Sequence, residues 1–380
     1  MTKPKRQSLL AWLLLLVALA AVELSSTRAE RAEGRESRAG ANRSALRAPG
    51  ASRTSVTSSA ENEAGLPGRR VLLDAHNCYP YDGRWTDRLD RAIATGTPLA
   101  IEQDLVWYTD PQNGTARSVV AHGLDEAPSA PSLREHFFER VRPLVERALA
   151  EQRPASWPLI TLNLDLKSDE PEHHAALWAL LGEYEAWLTT AVKDADPTRV
   201  MPLDVKPLVV LTGSNDAQQH SFNDQLPVGG RLRLFGATRV PPPSGTTEEE
   251  RLMSAARVTP ERAIGERATN YRRWVNFPWA VVEAGGQARA AEWTTEDRAR
   301  LQALVDRAHA QGLWIRFYTL NGSRPETSKA LGWTAGYNFG SLQAVQERWR
   351  ASIETGVDFV ATDQYEDFTQ LLRMRDVTKK

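Results

Sequence analysis

The chain has 380 residues, 41% hydrophobic and 25% charged, a globular composition that argues against wholesale disorder, collagen-like repeats and a multi-span membrane protein. Lys and Arg total 47 against 48 Asp and Glu, so the basic excess typical of nucleic-acid binders is absent and no nucleic-acid partner is expected. A single cysteine, Cys78, excludes an intramolecular disulfide and any cysteine-based zinc or iron–sulfur centre, which leaves oxygen or imidazole to hold a catalytic metal.

Residues 1–29 read as a signal peptide. Lys3, Lys5 and Arg6 precede an apolar core over 9–22, too short for a spanning helix of about 20 residues, and Ala18-Leu19-Ala20 offers a small-residue cleavage site. Secretion, or export to the periplasm, is the expectation; an uncleaved signal anchoring the protein in a membrane is the alternative. Residues 30–68 are rich in Ala, Arg, Glu, Ser and Gly and read as a disordered linker. Residues 69–380 then form one domain.

Strand-like runs fall at 71–75, 99–107, 159–166, 207–212, 232–236, 274–282, 313–320 and 359–362. Helical patterns lie between them at 133–150, 171–192, 294–311 and 341–355. The third opens on Thr294-Thr295-Glu296-Asp297 and stops at Gly312; the fourth stops at Gly356. Eight strands alternating with helices predict an α/β fold, a single (β/α)8 TIM-type barrel. A doubly wound open sheet is the alternative, but Asp74-Ala75-His76-Asn77 is not the Gly-rich turn it would want after the first strand. Two irregularities interrupt the alternation. Asn113-Gly114 predicts a hairpin after the second strand. Residues 239–270, opening with Pro241-Pro242-Pro243, form an insertion between the fifth and sixth strands, read either as a lid or as a solvated surface segment.

Residues two apart on a strand share a face, so Glu102 and Asp104 project together from the second strand, and Asn163, Asp165 and Lys167 from the third. Carboxylates inside a barrel are costly unless paired or bound to a cation, and Glu102, Asp104 and Asp165 supply the hard oxygen ligands that Mg²⁺ or Ca²⁺ prefers. His76 ends the first strand and His122 follows the hairpin. A Glu-x-Asp pair alone commonly caps a helix or pairs with surface arginines; its setting in apolar strand ends between two histidines favours a site. Cys78 reads as a packing thiol, and His173-His174 as solvated helix residues. His136, His220 and His309 show no partnered spacing. Trp279 and Trp333 stand near strand ends or loops, where substrate contact competes with a core role.

The ordered set His76-Asn77, Glu102-Gln103-Asp104, His122-Gly123 and Asp165-Leu166-Lys167 resembles the glycerophosphodiester phosphodiesterase and phosphatidylinositol phospholipase C-like superfamily, over most of residues 70–370. Gly356-Val357-Asp358 through Thr362-Asp363 resembles its last strand. The resemblance implies an enzyme, a metal-dependent phosphoric diester hydrolase acting on a glycerophosphodiester or (lyso)phospholipid head group; peripheral membrane contact through a lipid substrate is the accompanying expectation. It implies His76 and His122 as the acid–base pair and Glu102 and Asp104 as metal ligands. Asp165 falls where the sphingomyelinase D-like members carry a third ligand, and Lys167 matches a lysine facing the phosphate. Asn77 stands where typical glycerophosphodiesterases have arginine; Asn77 is then a phosphate or metal ligand, and Arg316, on the seventh strand, a candidate replacement guanidinium. Two other readings are a metal-independent glycosidase using Glu102 and Asp165 and a non-catalytic barrel kept for binding.

Overall fold

The structure, a computed structural model, describes residues 65–80, 84–331 and 335–378. The expected signal peptide, most of the expected linker and Trp333 lie outside the described residues.

The strands are β1 (Leu72–Ala75), β2 (Leu99–Thr109), β3 (Ala116–Val120), β4 (Ile160–Leu166), β5 (Thr190–Val192), β6 (Leu203–Asp204), β7 (Leu208–Thr212), β8 (Arg231–Leu232), β9 (Phe235–Ala237), β10 (Arg272–Pro278), β11 (Trp314–Tyr318) and β12 (Phe359–Thr362). The α-helices are α1 (Arg88–Ala94), α2 (Glu139–Glu151), α3 (Pro171–Glu183), α4 (Asp216–Gln219), α5 (Glu248–Ala255), α6 (Pro260–Ala263), α7 (Thr295–Ala310), α8 (Pro325–Leu331), α9 (Leu342–Thr355) and α10 (Tyr365–Thr378). Eight strands, β1, β2, β4, β7, β9, β10, β11 and β12, run parallel in chain order around a ring that β1 closes by pairing with both β12 and β2. That closed parallel ring with helical crossovers is a (β/α)8 barrel.

Local chemistry sets the boundaries. Thr294 caps α7 in a reciprocal box with Asp297, and Gly356 ends α9 at φ 82°. Asn113-Gly114 makes the expected hairpin: Gly114, at φ 71°, donates its N–H to the Asp110 carbonyl at 2.8 Å, and β3 returns antiparallel to β2. The insertion at 239–270 carries α5 and α6. Arg300 ties it down by donating to the Val258 carbonyl at 2.8 Å, and Gly285 donates to the Leu252 carbonyl at 3.1 Å.

Three predicted runs differ. The 171–192 pattern is helical only to Glu183, and its β-branched end, Thr190–Val192, becomes β5 in a separate three-stranded sheet with β6 and β8. The 232–236 run divides: Leu232 joins that small sheet, and the barrel strand begins at Phe235. In the 274–282 run, β10 ends at Pro278, which has no N–H to continue a ladder, and the chain tightens into a 3₁₀ turn at Trp279–Val281. Residues 65–68, assigned to the linker by composition, are fastened beneath the barrel. Trp314 donates to the Gly65 carbonyl at 3.1 Å and Gly68 donates to Asp358 at 2.7 Å.

Candidate active site

Parallel pairing puts Glu102 opposite Asn163 and Asp104 opposite Asp165, so the carboxylates rise as neighbours toward the carboxyl ends of β2 and β4. Oxygens of Glu102, Asp104 and Asp165 all lie within 4.8 Å of one another. Glu102 and Asp104 are buried and Asp165 is exposed. Ligands at 2.0–2.6 Å from a single ion stand at most about 4–5 Å apart, so this hard-oxygen set fits one Mg²⁺ or Ca²⁺.

Cations of the chain itself partner each carboxylate. Lys167 Nζ lies 2.9 Å from Asp104 and 2.6 Å from Asp165. Burial works against its charge, yet the two aspartates outweigh it and raise the lysine pKa. Glu102 accepts from Arg316 Nη2 and from the Asn77 N–H, both at 3.1 Å. Burial opposes its charge, but Arg316, His76 and that N–H hold its carboxyl down at about 2. Asp104 is pushed upward by burial and by the neighbouring Asp165 and Glu102, against the pull of Lys167; Tyr79 donates to it at 2.7 Å. Asp74 completes the interior acids, paired with Arg316 Nε. With Asp363, five carboxyl groups gather here beside three fixed cations, Lys167, Arg316 and Arg88, and burial pushes two of them, Asp74 and Asp104, upward toward the neutral form.

His76 stands at the exit of β1. The next residue, Asn77, takes the left-handed conformation at φ 51°, which asparagine tolerates better than most residues. This turn aims the Asn77 N–H at Glu102. His76 Nε2 lies 3.5 Å from Glu102 Oε2, and Nδ1 faces Asp363 at 3.4 Å and the Asn77 amide nitrogen at 2.8 Å. Burial disfavours a charged ring, but Glu102 and Asp363 outweigh it and raise the His76 pKa above 6.5. Asp363 is braced in turn by Arg88 at 3.1 Å and by the Asn321 amide. His122 sits beyond β3 on an exposed loop. Its N–H donates to Glu126 at 3.0 Å. Surrounding protein and the positive charge of Lys167 lower its pKa. His76 thus stands on the Glu102 and Asp363 side of the cluster, and His122 is influenced from the Lys167 and Asp165 side.

Two expected phosphate ligands have other engagements. Arg316 is 2% exposed and binds Asp74, Glu102 and Asn276, so its guanidinium is consumed inside the barrel. Asn77 donates its amide to Asp363 at 3.2 Å and braces His76. Sequence reading missed Asp74, Tyr79, Arg88, Asn321 and the role of Asp363. Period two from His76 leads back to Asp74, but nothing in the sequence marks Arg88 or Asn321. Trp279 is fully buried and belongs to the core. The expected solvation of His173 and His174 is likewise wrong: α3 packs against β3 and the segment after α4, burying both. Cys78 is buried, and burial pushes its thiol up to about 12, as suits a packing residue.

The fold and site define a (β/α)8 barrel with an imidazole, ammonium and carboxylate cluster at the carboxyl ends of its strands. No protein-family model and no curated protein matches the chain. Among solved structures it is similar to a glycerophosphoryl diester phosphodiesterase from Parabacteroides distasonis, at 13% identity over 82% of this chain and 87% of that one, TM-score 0.38. A second glycerophosphodiester phosphodiesterase from that organism matches at 12% identity over 80% and 98%, TM-score 0.39. A Burkholderia cenocepacia dihydropteroate synthase matches at 15% identity over 82% and 92%, TM-score 0.35. Likenesses this remote span two different chemistries and do not choose between them.

Proposed function

We propose that the chain is a metal-dependent phosphoric diester hydrolase acting on a glycerophosphodiester or (lyso)phospholipid head group. The observation that carries this reading is the meeting of His76, Lys167 and three clustered carboxylates at one end of the barrel. Glu102, Asp104 and Asp165 would hold one divalent cation, Mg²⁺ or Ca²⁺. When bound, that ion supplies positive charge for the non-bridging oxygens of a phosphodiester.

The chain's own groups serve the rest of the reaction. Lys167 adds a positive charge beside the same carboxylates, attracting an anionic substrate. His122, kept neutral, takes the proton from the attacking hydroxyl, either of water or of a neighbouring group on the substrate. His76, oriented by Asp363 behind it, gives a proton to the leaving oxygen as the phosphorus–oxygen bond breaks. Attack by water yields a phosphomonoester and an alcohol; attack by a substrate hydroxyl yields a cyclic phosphate and an alcohol. The glycosidase reading is disfavoured because Glu102, clamped by Arg316 and held near 2, is a poor proton donor. Export, inferred from residues 3–22, is part of the proposal.

The test is an assay of purified protein with Mg²⁺ or Ca²⁺ against bis(p-nitrophenyl) phosphate, glycerophosphodiesters and lysophospholipids. Release of a phosphomonoester or cyclic phosphate, abolished by chelator, is expected. Activity that survives complete chelation would remove the metal from the proposal.

A further inference from the structure

His173 is a buried histidine outside the acid–base pair, and both its nitrogens are engaged across the fold. Nε2 lies 2.9 Å from Ser118 Oγ on β3, and Nδ1 lies 3.0 Å from Ser168 Oγ and 3.3 Å from the Ser168 carbonyl. The Trp107 N–H of β2 donates to that same Ser168 hydroxyl at 3.0 Å, and the Trp107 indole stacks on the imidazole with ring centres 5.7 Å apart. One ring at the start of α3 therefore joins the β2–β3 hairpin to the exit of β4.

Those two segments carry His122 and Lys167, two groups of the candidate site that act on one another. His122 follows Ser118 by four residues, and Lys167 immediately precedes Ser168. Lys167 reaches Asp104 on β2 and Asp165 on β4. The hairpin projects beyond the barrel, because β2 pairs with β4 only as far as Leu105 while its pairing with β3 runs on to Thr109. Beyond Leu105 the barrel ladder no longer holds it. A neutral imidazole presents one donor and one acceptor on opposite edges, which a hydroxyl on each side can satisfy. An apolar side chain of the same volume would fill the space and leave both serines without this partner.

We infer that His173 is a positioning residue for the reaction proposed above: by bridging Ser118 and Ser168 it fixes the His122 loop against the Lys167 end of β4. The inference rests on that proposed function. Burial keeps the ring neutral, its pKa falling to about 4, so the bridge persists through neutral pH.

His173→Phe keeps the bulk and the stacking while removing both hydrogen bonds. Ser118→Ala removes only the link to the hairpin. Leu177→Ala, a core truncation on the same helix, supplies a loss of stability that leaves the bridge in place. Against bis(p-nitrophenyl) phosphate, His173→Phe and Ser118→Ala are expected to lower kcat by about 10- to 100-fold with KM changed little, as displacement of one reacting group does. Leu177→Ala should retain kcat below its unfolding temperature. In the double variant, losing the second partner should add little to losing the first. Deuterium exchange of residues 117–126 should accelerate in both bridge variants and not in Leu177→Ala. Equal losses of kcat in His173→Phe and Leu177→Ala would reduce His173 to a core residue and overturn the inference. Unchanged exchange of 117–126 in His173→Phe would also overturn it. If the wild-type chain turns over no phosphodiester, the proposed function fails, and the exchange experiment still decides whether the bridge holds the loop.

Discussion

His76 is held between two carboxylates delivered by distant parts of the chain, Glu102 from β2 and Asp363 just after β12. The pairing of Nδ1 with Asp363 orients the ring, and it leaves Nε2 facing the carboxylate cluster. Asp363→Asn preserves the shape but removes the charge that Arg88 and Asn321 hold in place. That variant should stay folded and lose about 10²-fold or more in kcat, an effect of the size found when acid–base groups are compromised; steady-state kinetics showing less than a twofold change would separate Asp363 from His76 function. At Asp104 the expectation concerns the cation. Were Glu102, Asp104 and Asp165 to hold the proposed cation, Asp104→Asn would remove one of three carboxylate ligands, and calorimetric Mg²⁺ or Ca²⁺ affinity should fall at least tenfold. Unchanged affinity would take Asp104 out of the metal site. The ordered histidines and acids were legible in sequence because period two on a strand and position at its end are local properties. The fate of Arg316 was not. Its inward direction follows from alternation, but only barrel closure reveals that Asp74 and Glu102 lie within its reach and occupy it.

Among the elements, caps and turns were the readable features. Thr294, Gly312, Gly356 and Asn113-Gly114 all act where they stand in the chain, through hydrogen bonds to near neighbours or a positive φ. Gly356 allows a clean test. Its φ is 82° and no atom lies within 4 Å of where a Cβ would stand, so Gly356→Ala meets backbone strain without a clash. The substitution should cost about 1 kcal/mol, visible as a lower urea midpoint, with kcat unchanged; an unaltered midpoint would show that α9 does not depend on this cap. The end of α3 and the position of β9 were less readable. Beyond Glu183 the apolar pattern persists, and the conversion of Thr190–Val192 to strand depends on partners at β6 and β8, which lie 11 or more residues further along. A strand as short as β9 leaves too few residues for alternation to define its ends.

Across the whole molecule, the barrel gathers charge at one end and closes the other with residues 65–68, which Asp358 and Trp314 secure. Burial also makes stability depend on pH. His136, against the Cys78 carbonyl, and His173, between its serines, are both held near 4, with burial the largest cause, against 6.5 for an ordinary histidine. A histidine whose folded pKa is depressed contributes its full stability above about 6.5, and that contribution drains away as pH falls through the folded value near 4. Each ring is linked to a loss on the order of 3 kcal/mol, from about 1.4 kcal/mol per pH unit. His76 is shifted the opposite way, so its contribution is complete once pH is below about 6.5 and adds no slope to this decline; the comparison that isolates one ring is wild type against His136→Phe. Unfolding free energy should fall more steeply between pH 6.5 and 4.5 in the wild type than in His136→Phe; equal slopes would show that His136 is free to protonate in the folded state.

The function proposed for the barrel end is phosphodiester hydrolysis with His76 as proton donor beside carboxylates that would hold a divalent cation. The most direct measurement is the initial rate of alcohol release from a glycerophosphodiester, whose poor alkoxide leaving group needs the proton, for wild type and His76→Asn, after chelation and after restoring Mg²⁺ or Ca²⁺. The wild type should be silent after chelation and active once the ion is restored, while His76→Asn, folded and still binding metal, should run about 10²- to 10⁴-fold slower. A metal-independent wild-type rate, or a His76→Asn rate above about a tenth of wild type, would contradict the account.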